Sequence, residues 1–221
     1  MERYSGDATL APRGDANEAG QGVERDPVLV IACGALGREL HAIRRANGWD
    51  HLRIRCLDPE LHLHPAQIAP RLRAEIERAH GQYRRIFVGY ADCGSYGGID
   101  RVLKDYPGVE RLPGLHCYEF FAGAEVFERL ADDEPGTFYL TDFLVRFFDR
   151  FVVETLQLDR HPELFDAFFG NYRRLAYLSQ TSDPELLAGA RAAAARLGLE
   201  FAHVHTGYGA LESRVARIAE G

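Results

Sequence analysis

The feature that most constrains this sequence is its alternation of short apolar runs with segments of helical periodicity. The runs PVLVIAC (residues 27–33) and IFV (86–88) are continuous and rich in β-branched residues, which is typical of strands buried on both faces. Between them, Leu36, Leu40 and Ile43 recur at helical spacing. Further strand candidates are LRIRCLD, VERLPG, GTFYLT, RRLAYLSQ and LEFAHVHTG. This order predicts an α/β fold: a three-layer, Rossmann-like arrangement of a mostly parallel sheet with helices on both faces.

The domain organisation follows from length and local composition. The chain has 221 residues, of which 46% are hydrophobic, enough for one sizeable core. Residues 1–26 are polar and rich in Gly, Ala and Asp, so we expect a disordered leader there. Residues 27–221 are predicted to form a single α/β domain or two Rossmann-like halves.

Charge and hydropathy exclude several classes of partner. The net charge is −7 and no block of Lys and Arg exceeds a pair, which argues against nucleic-acid binding. No window approaches the roughly 18 apolar residues of a membrane span. Since the N-terminus lacks the apolar region of a secretory signal, we expect a cytoplasmic protein whose four cysteines are reduced.

Three of the four cysteines follow predicted strands. Cys33 ends the first strand, Cys93 lies in the glycine-rich loop after the third strand, and Cys117 begins a helix after a fourth. The turns that follow parallel strands lie along one edge of a sheet, where ligands bind, so we expect these thiols to converge. Cys56 lies inside LRIRCLD and is predicted to be ordinary core.

Convergence of three thiolates would require a cation, because the negative charges repel one another. Three protein ligands with one open position describe a catalytic zinc, and thiolates equally hold a [4Fe-4S] cluster. The hypothesis is therefore a metal site at Cys33, Cys93 and Cys117. The alternative is that each cysteine fills a small pocket beside a tight turn.

Other residues are predicted to contribute to this site. His116, Glu39 and His64 are candidates for an additional ligand or for support of the ligands. His62 and His64 alternate, so they would share one face of an extended segment. The alternative is that both histidines lie at the rim of a loop.

Backbone N–H groups of a glycine-rich loop could bind an anionic substrate group, although the G-x-G-x-x-G order is absent. The residues of this loop prediction are Gly34, Gly94, Ser95, Gly97 and Gly98. No catalytic residue is identified.

Several blocks of the sequence resemble a known family, domain-of-unknown-function family 1638. They are VLVIACGALGREL, LHLHP, IFVGYADCGSYGGID, LPGLHCYEFFAG and FYLTDFLVRFF, and the resemblance covers roughly residues 27–208. Ala91 stands where the family pattern has glycine, and His116 directly precedes Cys117. The resemblance implies a role in one-carbon metabolism, since family members are often encoded beside corrinoid-dependent methyltransferases.

These observations lead to one functional expectation and two alternatives. We expect a metal-dependent enzyme, of a methyltransferase type, that acts on a small-molecule substrate in methyl-group metabolism with corrinoid methyltransferase components as partners. The alternatives are a non-catalytic metal-binding accessory protein, and an anion- or nucleotide-binding module with structural cysteines. The aromatic residues between positions 143 and 169 predict core, and could also include a homodimer interface.

Overall fold

Seven strands build two parallel sheets in the computed structural model, which describes residues 26–221. The first sheet has the order β2-β1-β3-β4 and the second the order β5-β6-β7, and every strand pair is parallel. This confirms the predicted α/β class, with the strands divided between two sheets. The strands are β1 (Val28–Cys33), β2 (Leu52–Leu57), β3 (Arg85–Gly89), β4 (Glu110–Arg111), β5 (Thr137–Thr141), β6 (Arg174–Ser179) and β7 (Glu200–His205).

Helices connect the strands throughout this part of the chain. The α-helices are α1 (Gly37–Ala46), α2 (Ile68–Ala79), α3 (Gly98–Leu103), α4 (Cys117–Ala122), α5 (Ala124–Asp133), α6 (Asp142–Arg146), α7 (Phe165–Phe169), α8 (Pro184–Leu197) and α9 (Ala210–Glu220). Shorter 3-10 turns cover Gly34–Leu36, Pro59–Leu63, Pro65–Gln67 and Pro162–Leu164, and a π-helical stretch covers Asp149–Glu154. From residue 26 onward, no helix combines the length and apolarity needed to cross a membrane.

Two helices that the sequence predicts as continuous are divided. The segment LHCYEFFAGAEVFERLA forms α4 and α5, because Gly123 adopts φ 81° and ψ 143° between them. The segment DFLVRFFDRFVVETLQL forms α6 and the π-helical stretch. These corrections shorten the helices without changing the order of the elements.

The centre of the first sheet is the strand β1. Every residue of this strand is buried, and β2 and β3 pair with it on either side. Residues 86–88 of β3 are also buried, so the predicted sheet centre is confirmed. The prediction that Cys56 belongs to the core is wrong. Cys56 is exposed, because β2 is the edge strand and its middle residues are only partly covered.

The C-terminal helix α9 joins the two halves of the chain. It follows the last strand of the second sheet, yet Leu211, Val215 and Ile218 pack into the core of the first sheet. The Ala219 carbonyl also lies 2.8 Å from His51 Nε2. The number of independent domains stays a prediction, and the predicted leader lies outside the described residues apart from Asp26.

Candidate functional site

The three cysteines that follow strands line one small cavity at the carboxyl edge of the first sheet. This cavity, here called the cysteine cavity, has a volume of about 20 Å³. Cys33 contributes from the end of β1, Cys93 from the loop after β3, and Cys117 from the first position of α4. The side chains that complete its lining include His62, Tyr90 and Phe120.

Backbone hydrogen bonds hold the Cys93 loop against the turn that precedes Cys117. The Cys93 N–H donates to the Leu115 carbonyl at 2.9 Å, and the Asp92 N–H donates to the Gly114 carbonyl at 3.1 Å. Cys93 itself has φ 49°, a left-handed conformation that a non-glycine residue rarely adopts. These bonds explain how residues far apart in sequence come to share one cavity.

The carboxylate of Asp92 organises the rest of this loop. It accepts hydrogen bonds from the Ser95 hydroxyl at 2.8 Å and from the backbone N–H groups of Tyr96 (3.0 Å) and Gly97 (2.8 Å). These hydrogen bonds help to hold the pKa of Asp92 below its usual value. The predicted anion-binding role of Gly34, Gly94, Ser95, Gly97 and Gly98 stays a prediction, but two of the loop's N–H groups already bind Asp92.

Burial keeps the thiols of the cysteine cavity neutral in the absence of a cation. It raises the pKa of Cys33 to about 12 and that of Cys93 to about 11, and the pKa of Cys117 well above its ordinary value. A negative charge on Cys93 or Cys33, which line the same cavity, would further raise the pKa of Cys117. Each would therefore lose its proton only with a compensating positive charge.

His62 is the histidine that reaches the cysteine cavity. Its Nδ1 lies 3.6 Å from Cys33 Sγ and 3.2 Å from the Pro59 carbonyl oxygen. Burial lowers the pKa of His62, which favours the neutral imidazole that binds metals. The hydroxyl of Tyr90 is buried nearby and meets no hydrogen-bond partner within residues 26–221, although Cys33 lies close enough to help raise its pKa.

The additional site residues predicted from the sequence do not line the cysteine cavity, and their predicted roles stay predictions. His116 precedes α4, with its ring centroid 6.2 Å from that of Tyr118. Glu39 lines a larger cleft beside α1, and His64 lines a third cavity with Cys56 and Arg71. His62 and His64 do not share a face as expected, because Pro59 and the Asp58 cap fold this segment into a 3-10 turn.

The sequence contains a pattern that places His62 near the cysteine cavity, although this pattern conflicts with the extended segment that we expect there. Asp58-Pro59 directly follows β2, and this pair is a common start for a helical turn. A turn starting there places His62 at the carboxyl edge of the sheet beside Cys33. Tyr90 carries the same signal, because it directly follows β3.

The thiols share a cavity, but they do not form a finished metal site. Over the part of the chain that the structure describes, no group of three or more His, Cys, Asp or Glu side chains is arranged to hold a metal ion. A metal ligand role for Cys33, Cys93 and Cys117 therefore requires their sulfur atoms to draw closer together. The glycine that follows Cys93 gives this loop conformational freedom, since Gly94 has φ 79°.

The fold and this cavity define a parallel α/β protein with a cluster of cysteines at the sheet edge. A family model described as a protein of unknown function (DUF1638) matches residues 56–215, well over half of the chain. The chain therefore belongs to this family. Cys93 and Cys117 lie inside the matched region and Cys33 lies before it. The comparisons with curated proteins and with solved structures gave no match.

Proposed function

We propose that this protein is a metal-dependent enzyme with a zinc ion bound by Cys33, Cys93 and Cys117. The observation that carries the proposal is that thiols from three distant segments line one cavity together with a neutral imidazole. Thiolate sulfur and imidazole nitrogen are the ligands that zinc prefers in proteins. A cation would also offset the repulsion among three thiolates at one place.

The size of the cavity favours a single ion over a cluster. A volume of about 20 Å³ is close to what one water molecule occupies, roughly 10–15 Å³ on the same kind of measure. An iron–sulfur cubane holds eight heavy atoms, so a [4Fe-4S] cluster requires the Cys93 loop to move outward. Zinc is therefore the cofactor that we propose, with the cluster as the alternative.

His62 is the side chain best placed to occupy or guard the fourth position. Its Nδ1 is the nitrogen near Cys33 Sγ, at 3.6 Å, and also lies 3.2 Å from the Pro59 carbonyl oxygen. Binding a metal through Nε2 would keep a hydrogen bond from Nδ1–H to that carbonyl, but it would require the ring to turn. Such a bond to a backbone carbonyl is the usual way in which a protein orients a ligating histidine. His62 then either completes a four-ligand site or yields its place to a substrate.

The reaction that we propose is methyl transfer to a thiol in one-carbon metabolism. Zinc held by thiolates supplies one chemistry that suits it, activation of a bound thiol as the more nucleophilic thiolate. In this chain, buried Tyr90 and Phe120 would exclude water from the cysteine cavity. The link to corrinoid methyltransferases rests on the family resemblance.

A non-catalytic accessory role is a second candidate, and one observation favours it. The cysteine cavity has no room for a substrate beside a bound ion. A closed site with four protein ligands is typical of structural zinc. Turnover of a thiol with a methyl donor would support the enzyme, whereas a zinc-loaded protein without such turnover would support the accessory role.

Metal analysis of the full chain, purified without oxygen, tests the proposal. We expect about one zinc per chain, lost in Cys93→Ser and retained in Cys56→Ser, whose thiol is exposed outside the cysteine cavity. Circular dichroism would show that both variants keep the fold. A brown protein that contains iron and sulfide would support the cluster alternative. A stable protein without metal would overturn both.

A further inference from the structure

A second cavity, much larger than the cysteine cavity, lies between the carboxyl edges of the two sheets. Its volume is about 560 Å³, within the range of roughly 300–1,000 Å³ that is usual for small-molecule sites. The helix α1 forms one wall. The opposite wall carries Asp142 and Arg146 after β5, Thr181 after β6 and Tyr208 after β7. Ligands of open α/β sheets bind at this kind of edge.

The wall formed by α1 carries two guanidinium groups. Arg38, His41 and Arg45 lie at spacings of three and four residues, which places them on one face of the helix, and all three line the cavity. Within residues 26–221, neither Arg38 nor Arg45 forms a salt bridge with a carboxylate. Arg146 faces them from the second sheet, with Asp183 3.6 Å away. We call this cavity the arginine cleft.

Glu39 also lines the arginine cleft and has an unused hydrogen-bonding atom. Glu39 is only 6% exposed, and its Oε2 has no hydrogen-bond partner among the described residues. Asp142, on the opposite wall, differs because it accepts bonds from the Tyr177 hydroxyl at 2.7 Å and the Gln180 N–H at 3.0 Å. A buried oxygen without a partner is costly, so a ligand that supplies one would be favoured.

We propose that the arginine cleft binds a small organic anion. Its carboxylate or phosphoryl group would lie between Arg38 and Arg146, since guanidinium groups bind both kinds of oxyanion in a forked geometry. A polar group at the other end of the ligand would bind the Glu39 carboxyl group after a rotation of that side chain, because Oε2 is buried in this structure. Arg38, Arg146 and Glu39 line the same cleft, which is what the proposal requires.

The arginine cleft and the cysteine cavity are adjacent, and the residues that support one proposed site differ from those that support the other. Gly34 lines the cleft, while Cys33, Ala35 and Leu36 line the cysteine cavity, so one short turn separates the two. Anion binding in the cleft does not require a metal ion in the cysteine cavity. The two proposals can therefore fail separately.

Calorimetric titration of the full chain tests the anion site with two probes, inorganic phosphate and succinate, at constant ionic strength set with potassium chloride. We expect saturable binding of about one probe ion per chain for at least one of them. Arg38→Ala and Arg146→Ala should each weaken binding by about tenfold or more, the loss expected for one charged hydrogen-bonding group. Arg129→Ala, an exposed arginine outside the cleft, should bind like the wild type.

The outcomes separate the two ligand chemistries and can overturn the site. Binding of phosphate alone assigns a phosphorylated ligand, and binding of succinate alone assigns a carboxylate. No saturable binding of either probe would overturn the proposal. Wild-type affinity in Arg38→Ala would also overturn it, and this variant removes no salt bridge between described residues and should fold. Protein stripped of metal should give the same affinities as untreated protein.

Discussion

The three cavity thiols and the Glu39 carboxyl group are buried groups whose ionisation is unfavourable. The thiols of Cys33, Cys93 and Cys117 are neutral at ordinary pH because burial penalises the thiolate, and for Cys33 and Cys117 the neighbouring cysteines add to that penalty. Glu39 is subject to the same penalty, since burial and then Asp142 raise the pKa of its carboxyl group. In both cases a bound partner would relieve the penalty: a cation for the thiols, and a polar ligand group for Glu39.

The first prediction concerns protons released by the thiols. Zinc binds thiolates, so loading the metal-free protein near pH 7 should release about three protons per ion. The affinity for zinc should rise with pH near neutrality, because burial holds the pKa of all three thiols above that range. Calorimetry in buffers with different ionisation enthalpies measures the number. Cys93→Ser should release fewer protons, and zinc binding without proton release would contradict thiolate ligation.

The second prediction concerns Glu39 and stability. A carboxyl group whose folded pKa is raised above its unfolded value of 4.5 destabilises the fold as pH rises through that interval. Glu39→Gln cannot ionise at this position. The free energy of unfolding of the variant should therefore increase relative to that of the wild type between pH 4.5 and the raised pKa, and the difference should stay constant at higher pH. Urea unfolding at several pH values measures this. Glu128→Gln, at an exposed position of α5, is the control, and parallel pH profiles for Glu39→Gln and the wild type would be contrary to expectation.

At the scale of elements, the turn Gly34–Leu36 and the turn Pro59–Leu63 position the cysteine cavity together. A side-chain carbon on Gly34 would lie 2.7 Å from Pro59 Cδ and 2.9 Å from the Leu57 carbonyl oxygen, distances that force one segment to move. Only glycine lets the two turns approach this closely. Their contact sets the position of His62 relative to Cys33.

Gly34→Ala should therefore disturb the proposed metal site more than the fold. We expect zinc affinity to fall by about tenfold or more, the scale of effect seen when groups that orient ligands are disturbed. Gly37→Ala is the matched control, because Gly37 has φ −60° and a side-chain carbon there would meet only Cys56 Sγ, at 3.3 Å. Competition with a chelator measures both affinities, and equal values for the two variants would count against the proposed role of the turn.

At the scale of the whole molecule, α9 makes the first sheet depend on the end of the chain. Three of its aliphatic side chains, Leu211, Val215 and Ile218, are almost completely buried in the first core. Burial of one such side chain contributes about 1.5–3 kcal/mol, so the three together contribute roughly 5–9 kcal/mol. That is comparable to the whole stability of a typical domain, about 5–15 kcal/mol.

Removal of residues 210–221 should accordingly prevent stable folding of the first sheet, although all of its strands are retained. Circular dichroism and limited proteolysis of the truncated protein measure this. Removal of residues 1–25 is the comparison, since their polar sequence predicts no contribution to the core. A folded protein without α9, or an unfolded one without the leader, would show that the stability is distributed differently.

Much of this architecture could be predicted from the sequence because buried parallel strands have a distinctive pattern. The run before Cys33 and the run before Tyr90 identify the sheet centre, and parallel geometry then places Cys33 and Cys93 at one edge. The exposure of Cys56 depends on strand order, which local pattern does not encode. The sequence does not predict His62 as a lining residue, because a capped turn forms in place of the expected extended segment. It does not predict the arginine cleft, because the walls of the cleft come from both halves of the chain.

X-ray absorption at the zinc edge, on full-length protein purified without oxygen, counts the atoms bound to the metal and so tests whether the three cysteines bind zinc. We expect about three sulfur atoms at roughly 2.3 Å and one nitrogen or oxygen atom at about 2.0–2.1 Å. Cys33→Ser and Cys117→Ser should each remove one sulfur from this shell or release the metal, and Cys93→Ser should release it. A zinc shell of oxygen and nitrogen alone, or a sulfur count unchanged in all three variants, would contradict the binding of zinc by these cysteines.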